Sequence, residues 1–188
     1  EHARQYADEN SMAYLSPYND EHVIGGQGTC GVEISRQISD VDAVFVAVGG
    51  GGLISGIGAY LKSVNLAVEV VSCQPVASMV MTESVKAGSL LDLSSEPTLS
   101  DGTAGGIEES AITFDICRDI VDRYVVVSEE EIAEGMRQFI DSHHQLPEGA
   151  AGVAIAGFLQ VASDFAGKTV VIVICGGNIS RETLKRVI

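Results

Sequence analysis

The sequence predicts an α/β fold in which a parallel sheet forms the middle of three layers and helices cover both of its faces. Strand-like runs rich in valine and isoleucine alternate along the chain with helix-like segments, a pattern typical of parallel strands joined by helices. The runs are largely apolar and show no regular alternation of polar residues, so both faces of the sheet should be buried.

The individual elements follow from local patterns. Ser128 and Glu131 have the spacing of a capping box, which marks the start of the helix after the third strand. The Ala- and Gly-rich stretch after Glu148 predicts a buried helix. A polar, serine-rich segment at 88–100 predicts a loop over the sheet. The predicted strands cover residues 43–48, 68–73, 124–127 and 170–175, and the predicted helices cover 53–63, 77–87, 129–143 and 149–163.

Four consecutive glycines, Gly49 to Gly52, end the first strand and precede the helix that starts at Leu53. Glycine lets the backbone approach an anion closely, and the free N–H groups at a helix start point towards that anion. The helix dipole also favours negative charge at this end. The predicted ligand is therefore a phosphate, and the alternative is a tight turn with close packing.

A dinucleotide-binding loop is a second interpretation of these glycines. The fingerprint G-x-G-x-x-G would need a third glycine where Ser55 stands, and an acid at the end of the next strand, where Gln74 stands. Two further glycine-containing loops occur at 100–106 and 175–178, the latter directly after the last strand. Open parallel sheets bind ligands at the carboxyl ends of their strands, so we expect a site there.

Composition argues against several kinds of partner. The net charge of −15 disfavours nucleic acid. No apolar run approaches the roughly 20 residues of a membrane span, so no membrane partner is expected. The chain opens with polar residues at Glu1, where no signal peptide is visible. The cysteines are scattered and form no C-x-x-C motif, which predicts reduced thiols and a cytoplasmic location; they are Cys30, Cys73, Cys117 and Cys175.

Seven short motifs follow one another over nearly the whole chain. They are SPYND (16–20), GQGT (26–29), GGGGL (49–53), SDG (100–102), VSEEEI (127–132), EGAAG (148–152) and GGN (176–178). Together, in this order and spacing, they resemble the fold type II pyridoxal-phosphate enzymes. The most similar branch is that of threonine and serine dehydratases and serine racemases.

The resemblance implies pyridoxal 5'-phosphate as the cofactor and assigns roles by position. The glycines and the Leu53 amide would hold its phosphate. Cys175 would lie against the pyridine nitrogen, Gly102 near the reacting carbon, and Glu148 in the polar shell around the ring. The alternative for Glu148 is an acid stabilised by a helix dipole, and for Cys175 a small core residue. The implied cofactor-binding residues are Gly49, Gly50, Gly51, Gly52, Leu53, Gly102, Glu148 and Cys175.

The resemblance also implies that this is the C-terminal part of such an enzyme. The family's Schiff-base lysine belongs to a segment upstream of the glycines, and none of the four lysines here occupies a matching position. We therefore expect no catalytic residue in this chain. Residues 1–20 would be the end of the small domain, and 21–188 the large, phosphate-binding domain without its catalytic-lysine segment. Some relatives bind a divalent cation, but the corresponding places hold Gln74, Ser78, Met79 and Val80, so no metal is expected.

The implied function is β-elimination from a hydroxy amino acid, which yields a 2-oxo acid and ammonia. The implied partners are a small amino-acid substrate and, in the intact enzyme, a second copy in a homodimer. Other fold type II activities remain open: a serine racemase, a β-replacing synthase, or a dehydratase for an unusual hydroxy amino acid. A non-catalytic phosphate-binding domain is the alternative from a different class.

Overall fold

Four strands and eight helices follow one another in residues 2–188, the part of the chain that the computed structural model describes. Short 3-10 turns lie at Val76–Ser78, Asp101–Thr103 and Ala162–Phe165. The strands are β1 (Ala43–Ala47), β2 (Glu69–Pro75), β3 (Arg123–Val127) and β4 (Val170–Ile172). The helices are α1 (His2–Glu9), α2 (Glu21–Gln37), α3 (Gly52–Val64), α4 (Val80–Ala87), α5 (Ile112–Ile120), α6 (Glu129–His143), α7 (Gly149–Val161) and α8 (Arg181–Val187).

The strands form one parallel sheet in the order β3-β2-β1-β4, which confirms the predicted fold class. Phe45 in the central strand β1 pairs with Val71 on one side and with Ile172 on the other. All strands run in the same direction, so their carboxyl ends meet at one edge of the sheet. The glycine run begins just beyond the end of β1, which places it at that edge.

Alternate residues of β1 enter two separate cores, one on each face of the sheet. Phe45 packs edge-on against Phe158 and Phe165 on the face covered by α6 and α7. Val44 and Val46 face the other way, into a core with Ile54 of α3 and Phe114 of α5. Because both faces of β1 and β2 are buried, these strands need no polar face, which explains their largely apolar sequences. The edge strands β3 and β4 are less completely buried.

Helices α2 and α3 touch through glycines. A Cβ on Gly28 of α2 would lie 3.3 Å from the Gly56 carbonyl oxygen of α3, and a Cβ on Gly56 would lie 2.5 Å from the Gly28 nitrogen. Neither backbone can withdraw without separating the helices. This contact holds the segment before α2 close to the start of α3.

Among residues 2–188, no helix combines the length and the apolar character needed to cross a bilayer.

Several predicted boundaries are wrong. The predicted strand 170–175 ends at Ile172, because β1 pairs with it only over Ala43–Phe45. The predicted helix 77–87 begins only at Val80, after a 3-10 turn that follows Pro75. The predicted helix 149–163 ends at Val161. Helix α2 was not predicted, because its glycines disfavour an isolated helix and packing against α3 offsets that cost. The C-terminal helix α8 was not predicted either.

Gly56→Ala is expected to lower the free energy of unfolding by about 1–3 kcal/mol, because the added methyl group would press on the α2 backbone. Gly25→Ala in α2 is the matched control, since no heavy atom lies within 4 Å of a Cβ placed there. Alanine at this helical position should stabilise by up to about 1 kcal/mol. Urea denaturation of both variants gives the comparison, and equal stability would contradict the close packing of the helices.

Candidate functional site

The turn from β1 into α3 depends on Gly51. This residue is the N-cap of α3 and has φ 88°, in the left-handed region that favours glycine. Its carbonyl oxygen accepts the Ser55 N–H at 3.0 Å, which begins the hydrogen-bond pattern of the helix. The backbone therefore passes from strand to helix within the glycine loop, defined as Gly49–Gly52.

The first N–H groups of α3 are available to a ligand. Within residues 2–188, the N–H groups of Gly51, Gly52 and Leu53 donate to no protein acceptor. They lie at the positive end of a 13-residue helix, where backbone amides and the helix dipole both favour an anion. The arrangement suits a phosphate group held by the backbone.

These N–H groups belong to residues that line a pocket of about 440 Å³ at the carboxyl edge of the sheet. Its walls come from the glycine loop, the loop after Ser100, the start of α7 and the segment after β4. All eight predicted cofactor-binding residues line this pocket: Gly49, Gly50, Gly51, Gly52, Leu53, Gly102, Glu148 and Cys175. Their role in binding the cofactor remains a prediction.

The second loop packs closely on the glycine loop. A Cβ on Gly49 would lie 2.9 Å from the Thr103 carbonyl oxygen, so only glycine fits there. The Ser100 and Thr103 hydroxyl groups are 2.6 Å apart and hydrogen-bonded, which closes the 3-10 turn at Asp101–Thr103. Gly102 lies at the top of this turn, where a Cβ would come within 3.4 Å of Glu148 Oε1.

Glu148 joins the start of α7 to the segment after β4. Its N–H donates to the Gly176 carbonyl at 3.0 Å, and its Oε2 accepts the Asn178 N–H at 3.0 Å. Glu148 is the N-cap residue of α7, but its side chain accepts no capping hydrogen bond from that helix. The carboxylate therefore holds the Gly-Gly-Asn segment in place as well as lining the pocket.

Cys175 is exposed at the pocket and is not a core residue. Partial burial of its sulfur, together with the negative charge of Glu148, raises the pKa of the thiol to about 11. At neutral pH the side chain is therefore an uncharged, weak hydrogen-bonding group.

None of the described residues that line the pocket is cationic, and Glu148 supplies the formal negative charge among them. An anion here must be held by backbone N–H groups and by the helix dipole. The lysines lie elsewhere: Lys62 pairs with Asp122, Lys86 pairs with Glu83, and Lys168 and Lys185 do not line the pocket.

Tyr18 lines the pocket but was not predicted as a site residue. A Cβ on Gly50 would lie 2.5 Å from its ring atoms, so the ring rests directly on the glycine loop. Its hydroxyl group accepts the Glu108 N–H at 2.8 Å. The SPYND motif contains Tyr18, but the contact of its ring with the glycine loop depends on the tertiary fold and leaves no signal in the local sequence.

Gln74 occupies a fully satisfied buried position at the end of β2. Its Nε2 donates to the Val48 carbonyl at 3.0 Å, and its Oε1 accepts from both the N–H and the hydroxyl of Thr82. A neutral amide thus joins the end of β1 to α4. Among the described residues, no group of three or more histidine, cysteine or acidic side chains is arranged to hold a metal.

Comparisons with known proteins place the chain in a family. The sequence model of the family described as "Pyridoxal-phosphate dependent enzyme" matches residues 1–176. An L-threonine ammonia-lyase of Thermotoga maritima is 39% identical over 188 residues, which are 100% of this chain and 46% of that protein. A threonine dehydratase of Nicotiana attenuata is 34% identical over 100% of this chain and 31% of its own length. The chain thus spans less than half the length of these curated relatives.

Solved structures show the same likeness. The processed form of threonine deaminase isoform 2 from Solanum lycopersicum superposes with a TM-score of 0.92 at 31% identity, covering 99% of this chain and 55% of that one. A serine racemase from Dictyostelium discoideum superposes with a TM-score of 0.84 at 29% identity, covering 95% of this chain and 58% of that one.

Gly51→Val is expected to weaken binding of inorganic phosphate at least about tenfold, or about 1.4 kcal/mol. Valine disfavours the left-handed backbone, and a Cβ at this position would already lie 2.9 Å from Met81 Cε. Isothermal titration calorimetry measures the affinity. Gly26→Ala in α2, where a Cβ meets no atom within 4 Å, serves as the control. Unchanged affinity in Gly51→Val would mean that the loop is only a turn.

Cys175 should alkylate more slowly with iodoacetamide at pH 8 than a cysteine in a short peptide, although it is exposed. Its raised pKa leaves little thiolate at this pH, and the rate should climb as the pH approaches about 11. Glu148→Gln removes one cause of the shift and should speed the reaction. A Cys30→Ser background leaves Cys175 as the exposed thiol among residues 2–188. A peptide-like rate at pH 8 would contradict this environment.

Proposed function

Because the chain belongs to the family of pyridoxal-phosphate dependent enzymes, we propose that it supplies the phosphate-binding part of a threonine or serine ammonia-lyase. Such an enzyme eliminates the β-hydroxyl of a small hydroxy amino acid and releases a 2-oxo acid and ammonia. The observation that carries the proposal is the convergence of six separate stretches of chain on one pocket beside the free N–H groups of α3. Members of this family use pyridoxal 5'-phosphate as cofactor.

The residues present fit the cofactor's phosphate. The N–H groups of Gly51, Gly52 and Leu53 are free donors at a helix start, and glycine leaves room for close approach. When bound, pyridoxal 5'-phosphate supplies an electron sink for bond breaking at the substrate's α-carbon. The contribution of this chain is to bind and orient the group that does so.

Outside the glycine loop, two side chains determine the charge and hydrogen-bonding character of the pocket. Cys175 would face the pyridine nitrogen as a neutral thiol, since its pKa is raised to about 11. It would present no negative charge that could stabilise a proton on that nitrogen. Glu148, fixed by the Asn178 N–H, would keep the Gly-Gly-Asn segment beside the ring.

The finer organisation of the enzyme is part of the proposal. Residues 1–20 would end a small domain, and residues 21–188 would form the large one. Segment 1–20 contacts the rest of the chain at several points: Arg4 pairs with Glu108 at 2.8 Å, and Tyr18 rests on the glycine loop. We also infer a homodimer and a cytoplasmic location for the intact enzyme, as expected for a soluble amino-acid-processing enzyme with reduced cysteines.

The position of the lysines favours a second candidate, a domain that binds the phosphate without catalysis. None of the four lysines in the sequence lines the pocket, so residues 2–188 contain no amine placed to bond covalently to a cofactor there. Serine racemization is the alternative within the same family, because a serine racemase is among the similar structures.

A chimera tests the proposal. The segment of the Thermotoga maritima L-threonine ammonia-lyase that aligns with this chain would be replaced by these 188 residues. We expect the purified chimera to bind pyridoxal 5'-phosphate and to release ammonia and 2-oxobutanoate from threonine. The same chimera with Gly51→Val is the matched control. It should lose both cofactor binding and activity, because the substitution distorts the glycine loop.

The outcomes separate the candidates. A folded chimera that binds the cofactor and racemises serine without releasing ammonia would favour a racemase. A folded chimera that binds the cofactor but acts on neither amino acid would favour the non-catalytic domain. Failure of a folded chimera to bind the cofactor would contradict all three interpretations.

A further inference from the structure

Thr113 of α5 makes a hydrogen bond to the glycine loop and is not one of the residues that line the ligand pocket. Its hydroxyl group donates to the Gly50 carbonyl oxygen at 2.7 Å. Thr113 lies in the first turn of α5, is completely buried, and does not line the pocket. It therefore reaches the loop without access to a ligand.

This hydrogen bond determines which way the adjacent N–H points. The Gly50 carbonyl and the Gly51 N–H belong to the same peptide unit, and residues 2–188 contain no cis peptide bond. In a planar trans peptide the C=O and N–H point in opposite directions. Holding the Gly50 carbonyl towards α5 therefore directs the Gly51 N–H away from α5, and Gly51 itself lines the pocket.

The loop has little room to turn over. On the α5 side, a Cβ on Gly51 would lie 3.1 Å from Thr113 Cβ and 3.2 Å from Cys117 Sγ. On the other side the Tyr18 ring rests on Gly50. A glycine pair is flexible by itself, so its orientation here depends on these neighbours.

Hydrogen bonds connect the Tyr18 segment on one side of the glycine loop with helix α5 on the other. Asn19, next to Tyr18, accepts the Ile112 N–H at 2.9 Å, at the start of the helix that carries Thr113. Asn19 Nδ2 also donates to the Glu108 carboxylate at 3.2 Å, as does the Ser16 hydroxyl at 2.8 Å. Partial burial raises the pKa of Glu108, but these hydrogen bonds and the charge of Arg4 outweigh it, so the pKa lies below its usual value. A charged Glu108 thus fixes both supports of the loop relative to each other.

We propose that Thr113 is a positioning residue for phosphate binding: it fixes the Gly50–Gly51 peptide so that the Gly51 N–H faces the anion, with Tyr18 supporting the loop from the other side. The inference rests on the proposed function, since the anion is the cofactor phosphate. Thr113 acts through the peptide and touches neither the cofactor nor the substrate.

Two variants separate the effect of the Thr113 hydroxyl group from the effect of the side chain's shape. Thr113→Val keeps the branched shape but leaves the Gly50 carbonyl without its donor, and should weaken binding of inorganic phosphate and of pyridoxal 5'-phosphate about five- to tenfold. Thr113→Ser keeps the donor and should stay within about twofold of the unmodified chain. Ser84→Ala in α4 is the control for stability alone. It removes another buried hydroxyl group, which accepts the Leu91 N–H and does not line the pocket.

Affinities would be measured by calorimetry, and the Gly51 amide would be followed by ¹⁵N–¹H NMR without ligand. We expect that resonance to move in Thr113→Val and to stay in place in Thr113→Ser and Ser84→Ala. If the unmodified chain binds phosphate and Thr113→Val binds it equally well, this inference is overturned and the proposed function is not. An unmoved Gly51 resonance in a folded Thr113→Val variant would overturn it without reference to any ligand. If the unmodified chain binds neither probe, both the inference and the proposed function fail.

Discussion

The free N–H groups at the start of α3 are the constraint on which the rest of the site depends. A helix start leaves its first amides without internal partners, and here they lie at the carboxyl edge of a parallel sheet, beside a loop of four glycines. The pocket holds no cationic side chain among the described residues. Anion binding therefore rests on backbone geometry, and that geometry has to be fixed by surrounding side chains.

Contacts from distant parts of the sequence provide this support. Tyr18 precedes the loop by about thirty residues and Thr113 follows it by about sixty, yet both contact Gly50. The Thr103 carbonyl lies against Gly49, and Gln74 holds the carbonyl of Val48, the residue before the loop. The close packing of α2 on α3 keeps the Tyr18 segment in place. Four glycines in a row are thus compatible with a well-defined loop.

The sequence predicted the features that depend on local pattern. The continuous apolar runs predicted a parallel sheet, and the capping box at Ser128 and Glu131 is present in the structure. The eight predicted cofactor-binding residues line one pocket. Seven of them follow β1 or β4 or lie at the start of α3 or α7, which meet at one edge of the sheet, and Gly102 comes from the loop that packs on Gly49. Helix α2 was missed because its glycines have low helix propensity and its stability comes from α3. Tyr18 and Thr113 were missed because their contacts with the glycine loop are long-range and leave no local pattern.

The most direct test of the account is a ¹⁵N–¹H NMR titration of the chain with pyridoxal 5'-phosphate, with pyridoxal, which has no phosphate, as the comparison. The account predicts that the largest amide shifts occur at Gly51, Gly52 and Leu53 and that pyridoxal does not reproduce them. Strong shifts confined to another loop, such as Gly167 to Thr169, would contradict the account. Equal shifts with pyridoxal would also contradict it, because the phosphate would then not be what the helix start binds.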